Sequence, residues 1–253
     1  MGLHVERRGS GTPRLALVHG FTQTGRSWSA LADDLARDHE VVLVDAPGHG
    51  GSADVRVDLP TGAELLGDAG GRAVYVGYSM GGRLCLHLAV AWPDLVAGLV
   101  LVGATAGIED GGERADRRAG DERLATELER DGVDAFLDRW LANPMFAGLS
   151  TEAAQLEERR RNTEAGLAGS LRLAGTGAQA SLWDRLPELT MPVLVLAGSE
   201  DAKFAELGRR LADGIGPSAT FAVVQGAGHT AHLEQPAAFL ALLRHWLGAL
   251  HSR

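Results

Sequence analysis

The sequence predicts an α/β fold, a doubly wound and mostly parallel sheet with a helical cap inserted into it. Three observations carry that expectation. Short apolar runs alternate with helical patterns, the order expected of a sheet wound with helices on both faces. The runs are nearly continuous in apolar residues, as strands covered on both sides must be. From about Gly107 to Arg185 the alternation stops, and helical patterns rich in Arg and Glu run without a convincing strand. A structureless loop of that length is rare, so a helical insert is expected there.

Taken in order, the first strand is expected at Leu15 to Val18 and the first helix at Trp28 to Arg37. A second apolar run, Val41 to Val44, precedes a helix at Thr61 to Leu66. Ala73 to Val76 forms a third strand, followed by a long apolar helix from Ser79 to Trp92 and a strand at Gly98 to Val102. After the insert, strands at Val193 to Ala197 and Thr220 to Val224 flank a helix at Ala205 to Asp213, and Pro236 to His251 closes the chain as a helix. Residues 1–106 and 186–253 thus form the expected core, with 107–185 as a cap lying over the carboxyl ends of the strands.

Composition removes several function classes. A chain of 253 residues suits one α/β domain with an insertion. The formal net charge of −9 argues against a nucleic-acid partner, which calls for a basic face. Lys203 is the only lysine among 24 basic residues, a bias that a GC-rich genome produces without functional meaning. A single cysteine, Cys85, excludes an intrachain disulfide, and its place on an apolar helix face suggests core packing. No apolar run approaches the ~18 residues of a membrane span, and the amino terminus carries no signal-peptide core. The expected setting is cytoplasmic, without a membrane partner; oligomeric state is not legible.

The chemistry centres on Gly77-Tyr78-Ser79-Met80-Gly81, set between an apolar strand and a helix. Strand, G-x-S-x-G, helix is the nucleophile-elbow pattern, in which a sharp turn lifts a serine Oγ clear of the sheet. Ser79 then needs a histidine to take its proton and a carboxylate to orient that histidine. In this architecture both come later, acid first, at the ends of late strands. Asp201 in Gly198-Ser199-Glu200-Asp201 and His229 in Gly226-Ala227-Gly228-His229 meet that order, with Glu200 as the competing acid. His232 lies one helical turn on and suits a pocket wall or structural role, while His19 and His49 in glycine turns suit structural ones. No H-E-x-x-H pattern or acidic ligand set suggests a metal.

An oxyanion hole needs two backbone N–H groups aimed at one point. Met80 supplies one at the start of its helix, and Phe21, after the first strand, is the simplest source of the other. Arg83 follows Ser79 by four residues, on the same helix face. Its guanidinium suits either a scaffold salt bridge or a bidentate pair with a substrate carboxylate.

Together these residues resemble the α/β-hydrolase superfamily over nearly the whole chain. A narrower resemblance rests on His19-Gly20-Phe21-Thr22-Gln23-Thr24-Gly25, Gly77 to Arg83, Trp140 ahead of Asn143-Pro144-Met145-Phe146, Arg161-Asn162 to Gly166-Leu167-Ala168, and Gly175-Thr176-Gly177. Asp201-Ala202-Lys203-Phe204 and Ala227 to His232 complete it. These are similar to the 2-succinyl-6-hydroxy-2,4-cyclohexadiene-1-carboxylate synthase family of menaquinone biosynthesis. The resemblance implies a cofactor-free lyase: Ser79, Asp201 and His229 abstract a proton from a cyclohexene polycarboxylate, and pyruvate is eliminated. It further implies that Tyr78, Arg83, Trp140 and the cap residue Arg117 hold the substrate. A second cap arginine falls within Arg159-Arg160-Arg161, here taken as Arg159. The cap itself carries 11 arginines against 16 acids, a balance that does nothing to attract a polyanion. The competing reading is a serine hydrolase of a small ester, thioester or lactone working through an acyl-enzyme.

Overall fold

A computed structural model describes residues 2–250. Seven strands form one sheet: β1 (Val5–Arg8), β2 (Leu15–Val18), β3 (Val41–Val44), β4 (Ala73–Tyr78), β5 (Val96–Val102), β6 (Val193–Gly198) and β7 (Ala219–Val224). Their spatial order is β1-β3-β2-β4-β5-β6-β7, and every neighbouring pair is parallel except β1 with β3. β1 is absent from the sequence expectation. Its four residues, Val-Glu-Arg-Arg, lie on the sheet edge and are mostly half-exposed, so they carry no apolar run to read.

Alternate side chains of each central strand feed two cores. Ala16 and Val18 of β2 face one cluster, completed by α2 (Leu59–Gly70), α3 (Met80–Ala91) and α7 (Ala202–Ile215) through Leu66, Leu86 and Leu211. Leu15 and Leu17 face the other, where α1 (Ser29–Leu35) and α9 (Pro236–Leu250) supply Leu35, Phe239 and Leu243. This two-sided burial is why the strands read as unbroken apolar runs. Trp28, expected to open the first helix, instead ends a 3₁₀ turn at Gly25–Trp28. The helix expected to start at Thr61 begins two residues earlier, where Asp58 accepts a hydrogen bond from the Thr61 N–H and caps it. His251, the expected end of the last helix, lies outside the described residues. Cys85 is fully buried in the first core, and burial pushes its thiol pKa up.

Between β5 and β6 the chain leaves the sheet. It forms α4 (Gly111–Leu141), α5 (Leu156–Arg159) and α6 (Glu164–Ala174), with α8 (Ala231–Glu234) following later, after β7. α4 is broken at Gly132, whose φ of 83° and ψ of 169° are not helical. α4 and α6 share a small core of their own, built on Leu128, Phe136, Leu167 and Leu171. Asn162 ties this layer to the sheet loops: its Nδ2 donates to the Thr22 carbonyl at 2.7 Å, and its Oδ1 accepts from the Gly50 N–H at 2.9 Å. The helical layer thereby covers the carboxyl end of the sheet, where β4 ends at Tyr78 and α3 begins.

Candidate active site

The turn between β4 and α3 holds Ser79 at φ 51° and ψ −107°, a positive φ that a side-chain-bearing residue rarely adopts. Packing enforces it. A Cβ on Gly77 would stand 2.5 Å from the Gly81 carbonyl oxygen, and one on Gly81 would stand 2.3 Å from that of Val18. Strand and helix can approach this closely only because both positions are glycine.

Two further turns complete the site. Asp201 follows β6 and caps α7, its Oδ1 accepting the Phe204 N–H at 3.2 Å. His229 follows β7 and is nearly fully buried. Its Nδ1 lies 2.7 Å from Asp201 Oδ2, and its Nε2 lies 3.3 Å from Ser79 Oγ. A carboxylate only accepts, so Nδ1 carries the proton and Nε2 is left to accept from the serine hydroxyl. Glu200 is exposed and its carboxylate bonds nothing among the described residues. The rings of Phe204, at 4.4 Å, and Tyr78, at 5.4 Å, pack against the imidazole and exclude water from one side.

Neither the Met80 nor the Phe21 N–H has an acceptor among the described residues, and both residues line the cavity above Ser79. Burial holds three other histidines, His19, His49 and His232, neutral. His19 donates from Nδ1 to the Gly20 carbonyl at 2.8 Å and accepts the Ala46 N–H at Nε2, at 2.9 Å. His49 donates to the Pro47 carbonyl and accepts the Thr22 N–H; burial, aided by His19, lowers its pKa to about 3. His232 stacks on Trp28 at 4.1 Å, behind Tyr78 and away from the cavity lining. It is a structural group, not a pocket wall.

The cavity measures about 330 Å³, and Ser79, His229, Phe21, Met80, Tyr78, Arg83, Arg117, Trp140 and Arg159 all line it. The arginines differ sharply in their partners. Arg83 is 7% exposed, makes no ion pair among the described residues, and donates only to the Ala174 carbonyl at 2.8 Å. Arg159 is 1% exposed and donates to the Ala154 carbonyl and to Thr22 Oγ1, again with no carboxylate partner. Burial lowers the pKa of each to about 10, with neighbouring Arg117 adding to the effect at Arg83. Both remain cationic at neutral pH. Arg117 is half-exposed and paired at 2.8 Å with Asp121, which is itself buried. Arg160 and Arg161 point outward to Asp134, Glu157 and Glu158, so of the three consecutive arginines only Arg159 reaches the cavity.

A family model for the alpha/beta hydrolase family matches residues 15–242. The chain belongs to the alpha/beta hydrolase family. Among its relatives in that family is the 2-succinyl-6-hydroxy-2,4-cyclohexadiene-1-carboxylate synthase of Klebsiella pneumoniae (strain 342), 33% identical over 94% of this chain and 95% of that protein. Among solved structures, MenH from S. aureus superposes with a TM-score of 0.91 at 27% identity, covering 98% of this chain and 99% of that one. A thermophilic esterase from Thermogutta terrifontis, with malate bound, reaches 0.80 at 27% identity over 98% and 94%.

The structure adds residues to which no role fell from the sequence. Asp121 orients Arg117 and also accepts the Gly177 N–H at 3.2 Å. Phe146 and Phe204 wall the cavity beside His229. Gln23, inside the His19-to-Gly25 motif, lines the same space. The motif was the available signal, but a polar loop residue has no periodicity to reveal where its side chain points.

Among the described residues no cluster of His, Cys, Asp and Glu could hold a metal ion, and no helix is long and apolar enough to cross a membrane.

Proposed function

We propose that this chain is a carbon–oxygen lyase that eliminates pyruvate from a cyclohexene polycarboxylate, as a 2-succinyl-6-hydroxy-2,4-cyclohexadiene-1-carboxylate synthase of menaquinone biosynthesis in the cytoplasm. One observation carries the proposal: two buried arginines without carboxylate partners line the same cavity as the Ser79-His229-Asp201 chain. A buried guanidinium lacking a counterion is costly, and a substrate carboxylate would supply what the protein withholds. The printed names of the relatives support the same reading.

In that reading Ser79 Oγ passes its proton to His229 Nε2 while taking one from a ring carbon of the substrate. The freed electron pair forms a ring double bond, the carbon–oxygen bond breaks, and the leaving oxygen departs as the enolate of pyruvate. Asp201 stabilises the imidazolium that forms. The Met80 and Phe21 amides stabilise negative charge that develops on a substrate oxygen. Arg83, Arg159 and Arg117 bind carboxylates, while Tyr78 and Trp140 bracket the ring. Pyruvate release from the cyclohexene polycarboxylate, followed by a coupled lactate dehydrogenase assay, tests the proposal. Wild-type protein should turn over, and Ser79→Ala should be slower by about 10²–10⁴-fold.

The serine-hydrolase reading shares the triad and is favoured by the likeness to the thermophilic esterase. Brisk hydrolysis of p-nitrophenyl esters with no pyruvate from the polycarboxylate would establish it instead.

A further inference from the structure

Two residues of the cavity wall, Gln23 and Trp140, keep a buried side-chain N–H without a partner, and of these only Gln23 has been given no part in the site. Gln23 is 1% exposed, and its Nε2 has no hydrogen-bond partner. The orientation of the amide is fixed by its neighbour: the Gly20 N–H donates at 3.1 Å to the other atom, which must therefore be the oxygen. The –NH₂ is consequently turned away from the only donor that holds the side chain. Leaving such a donor buried and unbonded is unfavourable, and native structures rarely tolerate it without a ligand to complete it. His232 also has unpartnered ring nitrogens, but they lie in the aromatic stack and not in the cavity.

The surroundings specify what the amide meets. Thr22, the residue before Gln23, accepts a hydrogen bond from Arg159 Nη1, and Arg159 Nη2 has no acceptor among the described residues. Gln23 Oε1 and the Tyr78 ring both lie against Gly20, where an added Cβ would sit 3.6 Å and 2.5 Å from them. Gln23, Arg159 and Tyr78 thus converge on one corner of the cavity, with donors and no acidic group among them. We propose that Gln23 Nε2 and the Arg159 guanidinium share one carboxylate of the substrate, so that Gln23 is a substrate-binding residue of this site. The inference rests on the polycarboxylate reading above and extends it to a residue outside the triad and the arginine set.

The test is Gln23→Glu, followed by pyruvate release across pH. The substituted side chain keeps an oxygen for the Gly20 N–H, so the loop retains its bond, but it faces the carboxylate with a negative oxygen where the donor was. KM for the polycarboxylate should rise about 10- to 100-fold, with kcat within about threefold. That rise should shrink as the pH falls and the substituted carboxyl, held between the substrate anion and the Arg159 guanidinium, takes up a proton and donates again, while wild-type KM shows no such recovery. Gln23→Met, which removes both roles, should raise KM similarly, and its thermal midpoint reports any cost to the loop. If wild type releases pyruvate and Gln23→Glu matches its KM at every pH, Gln23 is only a loop brace and the inference is wrong. If wild type releases none, the lyase reading itself has failed, a separate outcome that removes the carboxylate and this contact together.

Discussion

Arg83 shows how much depends on what a single side chain lacks. Had it paired with an acid, it would be an ordinary scaffold group; bonded only to the Ala174 carbonyl, it keeps most of its donors for something that enters the cavity. Its removal should therefore discriminate between substrates. Arg83→Ala should lower kcat/KM for a polycarboxylate by about 100-fold, and leave hydrolysis of any neutral ester within about threefold. Arg160→Ala, which loses only outward pairs with Asp134 and Glu157, should change neither rate. Steady-state kinetics on the three proteins checks both halves. Sequence reasoning left Arg83 with two open roles, and the resemblance placed a cap arginine among Arg159, Arg160 and Arg161 without deciding between them, so that Arg159 was a guess. The distinction between them is a matter of which way consecutive side chains point around one short helical turn, and no composition or spacing encodes it.

Elements place the catalytic groups by being ends. Ser79 precedes α3, Asp201 caps α7, and His229 follows β7, so each functional side chain is fixed by a junction rather than by the middle of a strand or helix. Asp201 has two duties, and its two oxygens divide them: Oδ1 holds the α7 amino terminus and Oδ2 holds His229. Two substitutions separate the duties. Asp201→Asn keeps a capping oxygen, so its stability in urea should stay within about 0.5 kcal/mol of wild type. It should still lose about 10²–10⁴-fold in kcat, because an amide no longer holds the imidazole in the proton-accepting tautomer. Asp201→Ala should lose both, with about 1 kcal/mol of stability gone as well. The same logic explains what was legible. Ser79, Asp201 and His229 stood out because strand–turn–helix junctions leave a pattern of apolar run, glycine and polar residue. β1 left none, being a mostly polar edge strand, and the break of α4 at Gly132 was hidden in a chain segment that is helical on both sides.

Across the whole molecule, charge is sorted by direction. The negative balance of the helical layer lies largely outside: Glu122 and Glu129 hold Arg172, while Asp134 and Glu157 hold Arg160, all on exposed surface. Inside, Arg83 and Arg159 make no ion pair among the described residues, and the buried acid on the wall, Asp121, is taken by Arg117, so a count of charges along the chain conceals the sign of the cavity. Buried histidines set the acid limit of the fold. His49 has a native pKa of about 3 and His87 one of about 4, both lowered chiefly by burial, against about 6.5 when unfolded. Between those values the unfolded chain binds protons that the native chain refuses, so stability falls as pH drops from about 6.5 toward 4. Each of the two histidines contributes a loss of about 1.4 kcal/mol per pH unit in that window. Urea midpoints at pH 7, 6, 5 and 4 should decline accordingly, and His49→Gln should flatten the decline; a midpoint constant down to pH 5 would contradict the assignment of neutral imidazoles.

The lone guanidiniums have one more effect, and it falls on the protein's survival. Arg83, Arg159 and Lys203 on the cavity wall make no ion pair among the described residues, so an anion bound there stabilises the native chain. Such an anion binds the native chain and not the unfolded one; at a hundred times its dissociation constant it adds about 2.7 kcal/mol. A cell that makes the metabolite would therefore also be shielding the catalyst from proteases, and a cell that stops would let it drain away.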